Sequence, residues 1–301
     1  MSGPALAAET GPGPRVWALT AAAMVAFAAN SLLTRAALAE QAADPVSFTF
    51  LRLGAGAVCL SVLVLLRPGQ ASMPRATAGA KDWGMVAALL VYMVGFSLAY
   101  LSLSAGTGAL ILFGAVQITM LGVALAGGER PSLQGWAGIG LALAGLLVLL
   151  FPGLTAPDPL GAALMAAAGV GWGAYSLAGR GAADPLAVTA RNFNRAALIF
   201  FALALGALAA GLASEPVLSV PGIVLAVLSG AVASGLGYAV WYAALPALGA
   251  GRAAVVQLSV PIIAAAGGAL LLAEPPDLRL VIAAAGVLGG IFLYLRAPRT
   301  A

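Results

Sequence analysis

Long apolar runs, separated by short polar or proline-bearing breaks, fill the chain from about residue 16 to residue 295. A membrane helix needs ~20 mostly apolar residues at a rise of ~1.5 Å each. Ten segments meet that requirement: 16–38, 46–66, 82–103, 106–126, 132–151, 159–178, 186–212, 217–244, 250–272 and 278–295. Pro45, Pro131 and Pro185 stand at or just before expected helix starts, where a missing N–H costs little. The connectors SLSAG (102–106) and ALPALGAG (244–251) are short, so the spans they join should be antiparallel neighbours. The pattern predicts an all-α polytopic membrane protein with ten transmembrane helices.

Composition narrows the partners. Of the 301 residues 62% are hydrophobic and 8% charged, where a soluble domain carries about 25% charged residues. The lipid bilayer is therefore the solvent, and the net charge of +4 is no argument for nucleic acid. With both termini cytoplasmic, the inner segments hold Arg15, Arg67, Arg75, Lys81, Arg130, Arg180, Arg252, Arg296 and Arg299. Only Arg35 and Arg279 fall outside, so the basic residues set that orientation in a cytoplasmic (inner) membrane. Arg15 and the Ala26-Phe27-Ala28 triplet give the first span a resemblance to a signal peptide. Its full apolar length, and a relative in mid-chain, argue that it is retained.

That relative reveals a duplication. GAYSLAGRGAADP (173–185) answers AANSLLTRAALAEQAADP (28–45): Ser31, Leu32 and Arg35 align with Ser176, Leu177 and Arg180, and Asp44-Pro45 with Asp184-Pro185. GERPSLQGWAGIGLALAG (128–145) likewise parallels AEPPDLRLVIAAAGVLGG (273–290), laying Glu129 over Glu274 and Gly145 over Gly290. Five spans per copy is an odd number, so the second copy enters the membrane inverted. The expected organisation is a cytoplasmic tail (1–15), a first five-helix repeat (16–152), a second, inverted repeat (153–296) and a C-terminal tail (297–301). Inverted repeats can exchange conformations and open a central site to each side in turn; duplication that merely builds a stable bundle is the plainer reading.

These residues resemble the drug/metabolite transporter superfamily, in its ten-helix EamA-type branch. The resemblance rests on the repeat and on the end of each fourth helix, where a glutamate is followed by glycines nine and sixteen residues later. Glu129, Gly138 and Gly145 fit that pattern, as do Glu274 and Gly290, with Ala283 in the middle place. Proline in the fourth helix of a repeat is matched by Pro261 but replaced by Val116 in the first half, so a kink is expected in the ninth span only. The pattern is most similar to bacterial exporters of aromatic and hydrophobic amino acids. That resemblance implies efflux through a cavity lined mainly by helices 1, 3, 4, 6, 8 and 9. Carriers of sugar-phosphates or nucleotide-linked metabolites, and a non-transporting membrane scaffold, are the alternatives.

Polar and aromatic groups inside the spans are the candidates to meet a small-molecule substrate, because unpaired polar groups rarely face lipid. By helical rise, Tyr92 and Gln117 lie ~15 Å deep, Asn30 ~12 Å from the outer face, and Trp172 and Gln257 ~10 Å from the inner one. Tyr92, Phe96 and Tyr100 form a stripe; Phe113 and Gln117 share a face, as do Trp172, Tyr175 and Ser176. Flat rings with a few amides suit a small amphipathic ligand. Helix packing is the competing reading for Tyr92, and an interfacial belt for Tyr238, Trp241 and Tyr242. Gln117, Gln257 and Asn30 could simply bond neighbouring helices. Arg191 and Arg195 in RNFNR either snorkel to headgroups or form a vestibule that attracts carboxylates, and Arg52 has the same two readings. The GxxxG pairs Gly169/Gly173 and Gly286/Gly290 let helices approach; the second serves the bundle or a dimer, so monomer and homodimer both stay open.

What the spans lack shapes the expected mechanism. No aspartate or glutamate lies well inside any of them, so neither the usual intramembrane proton carrier nor a counter-charge for a cationic drug is present. Without histidine, and with Cys59 as the only cysteine, neither an enzyme nor a cofactor or metal site is expected. The cavity is expected to take a neutral, zwitterionic ligand, with transport driven largely by the substrate gradient.

Overall fold

A computed structural model describes residues 12–67, 79–128, 130–151, 156–179, 182–211, 216–297 and 299–300. Glu9, Arg75, Glu129, Arg180 and Glu215 lie outside the described residues. The fold is almost wholly helical: α1 (Pro14–Ala39), α2 (Pro45–Leu65), α3 (Ala80–Ala99), α4 (Ala105–Ala126), α5 (Leu133–Leu150), α6 (Pro159–Ala178) and α7 (Pro185–Ala209). There follow α8 (Val220–Val227), a π-helical segment (Leu228–Leu236), α9 (Gly237–Gln257), α10 (Ser259–Leu271) and α11 (Leu278–Arg296). Eight helical stretches are long and apolar enough to cross a membrane, the last running Val220–Leu248; α10 and α11 supply two shorter apolar stretches.

Loop acids and serines start these helices. Asp44, Ser104, Ser132, Asp158, Asp184, Ser219 and Asp277 each accept a hydrogen bond from a backbone N–H of the first turn, satisfying donors that a helix leaves orphaned. Asp44-Pro45 and Asp184-Pro185 use the same device, carboxylate at the cap and proline at the first helical position. This explains why so many of the chain's few acids sit at span ends.

Helix directions alternate. At one end Arg35 of α1 meets Glu274, whose Oε2 accepts from the Ala105 N–H opening α4, while Ser102 after α3 meets Asp158 before α6. At the other end Arg67 after α2 bonds Asp184 before α7. There too Arg130-Pro131 pairs antiparallel with Arg299-Thr300. The first turn of α1 and the last turn of α11 therefore share one end of the bundle.

Two glycine seams bring helices together. A side chain at Gly138 would strike the Gly290 carbonyl, and one at Gly145 would strike the backbone of Ala283, Gly286 and Val287, so α5 and α11 touch backbone to backbone. Gly169 and Gly173 lie against Leu112, Ala115, Val116 and Thr119 of α4. Both GxxxG pairs are thus used inside the chain, where small residues allow close helix approach.

Three expectations fail in the last third. The connector 244–251 is not a break: helical backbone runs through Pro246 to Gln257, because the alanine- and leucine-rich segment around it favours helix and one proline distorts without ending it. The expected ninth span breaks instead at Leu258, leaving Pro261 in the first turn of α10, where it disrupts no hydrogen bond and imposes no mid-span kink. The eighth span, expected as a plain α-helix, carries the nine-residue π segment.

Candidate functional site

The centre of the bundle is a continuous set of aromatic rings. Trp172 of α6 lies 5.1 Å from Tyr92 of α3, stacks at 5.1 Å on Tyr238 of α9, and stacks at 5.7 Å on Tyr175 one turn along α6. From Tyr92 the set continues through Phe96 to Tyr100, at 5.5 and 4.8 Å. From Tyr238 it reaches Phe193 of α7 and Phe27 of α1, and Phe27 in turn contacts Trp241. All eight other rings touching this path are buried with Trp172. Offset and edge-on ring pairs add ~0.5–1.5 kcal/mol beyond area burial, so the cluster is a cohesive plug as well as a set of flat faces.

Arg52 meets this cluster from α2. It is fully buried, and its guanidinium lies 4.6 Å from the Phe96 ring centre and 5.4 Å from that of Tyr92. Its Nη2 donates to the Tyr92 hydroxyl at 2.9 Å, whereas Nε and Nη1 have no hydrogen-bond partner among the described residues. Thr49 on the preceding turn donates to Ser97 at 2.8 Å and ties α2 to α3 beside it. Full burial rules out the snorkelling read from the sequence.

The π segment places a second polar group. Ser229 and Ser234, five residues apart, both donate to Asn30 Oδ1 of α1, at 2.8 and 3.3 Å. Gly230 between them lies against the Arg52 carbonyl, where any side chain would collide. The widened turn therefore bridges Asn30 and the backbone of Arg52; such insertions concentrate at functional sites.

The other expected residues divide. Tyr238 and Trp241 are buried in the ring cluster rather than set in an interfacial belt, because α9 turns them toward α1 and α6. Tyr175 accepts from Asn192 at 3.4 Å. Phe113 and Gln117 are buried on α4, outside the ring contacts, with Gln117 Nε2 unpartnered among the described residues. Ser176 and Gln257 are half-buried near the ends of α6 and α9. Tyr100 caps the cluster: its ring packs over Gly108 and its carbonyl accepts from Arg35. In RNFNR the inward residues are Asn192 and Phe193, while Arg191 and Arg195 are half-buried and Arg195 lies 5.5 Å over Trp83.

Sequence reasoning passed over Phe27, Phe193, Ser229 and Ser234, and read Arg52 as snorkelling or lining a vestibule, not as packed against the rings. Helices 2 and 7, absent from the lining the resemblance implied, contribute Arg52 and Phe193. The repeated Ser-Gly at 229–230 and 234–235, inside an apolar span, was the legible signal for the π segment.

Comparison with known proteins adds the following. Residues 159–296 match the EamA-like transporter family. An uncharacterised protein of Pseudomonas aeruginosa is 55% identical over 288 residues, which is 96% of each chain. A solved crystal structure, 21% identical, superposes with a TM-score of 0.62 over 91% of this chain and 95% of the other, a likeness of fold alone.

Proposed function

The chain belongs to the EamA-like transporter family of integral membrane proteins, and from that premise we propose that it exports aromatic or hydrophobic amino acids across a bacterial inner membrane. The ring cluster is the substrate site. The observation that carries this reading is Trp172, held between Tyr92, Tyr175 and Tyr238 in mid-bundle, among flat faces that a ring-bearing ligand can replace one for one. Asn30, Gln117 and Gln257 supply amides along the route, and Arg191 and Arg195 a basic approach at the cytoplasmic end.

Transport proceeds by alternating access between two inverted five-helix repeats, residues 16–152 and 153–296, in ten crossings with both termini cytoplasmic. Two contacts support a twofold relation. The repeats align Gly138 with Ala283 and Gly145 with Gly290; Gly138 lies against Gly290, and Gly145 lies against Ala283. Reciprocal contacts of this kind are what a twofold axis generates. Asp44 and Asp184 cap equivalent helices in the same way.

Proteoliposome counterflow tests the function. Vesicles loaded with unlabelled phenylalanine should accumulate labelled phenylalanine at equal pH on both sides, and Trp172→Ala should lower that rate about tenfold, the order expected for one lost stacking face of ~1–1.5 kcal/mol. Strict dependence on a pH gradient would reject substrate-driven exchange. Absence of flux across a broad amino-acid and metabolite panel would reject export itself.

A further inference from the structure

The structure assigns Arg52 as the anchoring cation for the carboxylate of the transported molecule, a role that rests on the ring cluster being the substrate site. The sequence alone suggested a cavity without a fixed counter-charge; the fold places a permanent charge against the ring cluster.

Three observations carry the assignment. Arg52 is wholly excluded from solvent, yet of its three nitrogens only Nη2 has a hydrogen-bond partner among the described residues, the neutral hydroxyl of Tyr92. A guanidinium keeps its charge and offers five donors in a planar fork. The Phe96 and Tyr92 faces partly compensate that charge, but they leave the donors on Nε and Nη1 unused.

Among the described residues no carboxylate takes that place. Asp44, Asp158, Asp184 and Asp277 cap helices, Asp82 accepts from Gly79 at the start of α3, and Glu274 holds Arg35. Glu40 follows the last residue of α1, and Glu9, Glu129 and Glu215 lie outside the described residues. A buried charge left unpaired is costly, so the missing acceptor is one that arrives with the ligand.

The same surroundings define the ligand. Its anionic group meets a cation, its ring meets Tyr92, Trp172 and Tyr238, and among the described residues no acidic side chain is placed to bind an amine. The class is an aromatic or hydrophobic monocarboxylate in which the α-amino group is dispensable. Deaminated analogues should therefore bind as amino acids do, and ring-bearing amines should not.

Thermal shift of the purified full-length protein reads this directly with L-phenylalanine, 3-phenylpropanoate and phenethylamine. Both carboxylates should raise the melting point of the wild type and the amine should not. Arg52→Gln and Arg52→Met should abolish the shift while remaining monodisperse. Arg52→Lys, which keeps the charge but loses the fork, should bind about tenfold more weakly, the scale of one charge-assisted hydrogen bond. Should the neutral variants not fold, the wild-type preference and Arg52→Lys still decide.

Stabilisation by the amine, equal carboxylate shifts in wild type and Arg52→Gln, or no carboxylate shift in the wild type would each overturn the assignment. Counterflow measured in parallel separates it from the export reading. Flux that persists in Arg52→Gln removes Arg52 and leaves export standing; carboxylate shifts without flux remove export and leave the Arg52 site.

Discussion

Two arginines toward the Glu274 end of the bundle have opposite surroundings. Arg35, at the end of α1, has an ion pair to Glu274 at 2.6 Å and donates to the carbonyls of Tyr100 and Leu101. Arg52, two turns inside α2, has rings, one phenol and two nitrogens without a hydrogen-bond partner among the described residues. The first is a strap: it ties the ends of α1 and α3 to the loop that also caps α4. The second stabilises nothing in proportion to what its burial costs. A residue that is expensive to the fold and unpaired within it is better explained by something that comes and goes.

The contrast breaks most sharply at Glu274. Glu274→Gln leaves Arg35 partly buried without its counter-ion and weakens the cap on α4, and should lower unfolding stability by about 2–3 kcal/mol, less than a fully buried pair because both side chains keep some solvent contact. Arg52→Met should do the reverse. Removing an unpaired buried charge for an apolar side chain of similar length should leave the ligand-free melting point unchanged or raise stability by about 1–2 kcal/mol. If both substitutions destabilise equally, Arg52 is a strap as well, and the distinction falls.

Asp44 sharpens the comparison at its weakest point. Desolvation pushes its carboxyl up, but hydrogen bonds from the Ser47 hydroxyl and from the N–H groups of Ser47, Val217 and Val46 outweigh this and hold it below the usual carboxylate value. A group whose value is lowered by folding contributes stability above its unfolded value and loses it as pH falls through the folded one. The Asp44 clasp between α2 and the chain before α8 should therefore act at neutral pH and fade below about pH 4. Asp44→Asn should flatten that acid limb of a melting-point titration by a small amount, while Arg52→Met leaves it intact.

Before the last third of the chain, span positions and helix starts could be read from the sequence because they depend on local chemistry: apolar length, and an aspartate or serine beside the first turn. Depth could be read for Tyr92 and Trp172, which do meet, since rise per residue is constant; Tyr238, read as lying near a helix end, joins them because α9 runs on to Gln257. What depth does not give is azimuth. The spans are apolar nearly all round, so nothing in the sequence told whether Arg52 turned toward headgroups or rings, or that Phe193 rather than its flanking arginines faced inward. The π segment is fixed by contacts between distant helices, Asn30 with Ser229 and Ser234 above all; the repeated Ser-Gly marks its place in the sequence, but not the partner on α1.

The most direct test is an experimental structure of the protein with bound L-phenylalanine. The ring should replace one of the contacts among Tyr92, Trp172 and Tyr238, with a carboxylate oxygen ~2.7–2.9 Å from Nε or Nη1 of Arg52. Density for the ligand in the cleft lined by Ser102, Ser104, Glu274 and Asp277, with Arg52 still unpaired among closed rings, would contradict the account.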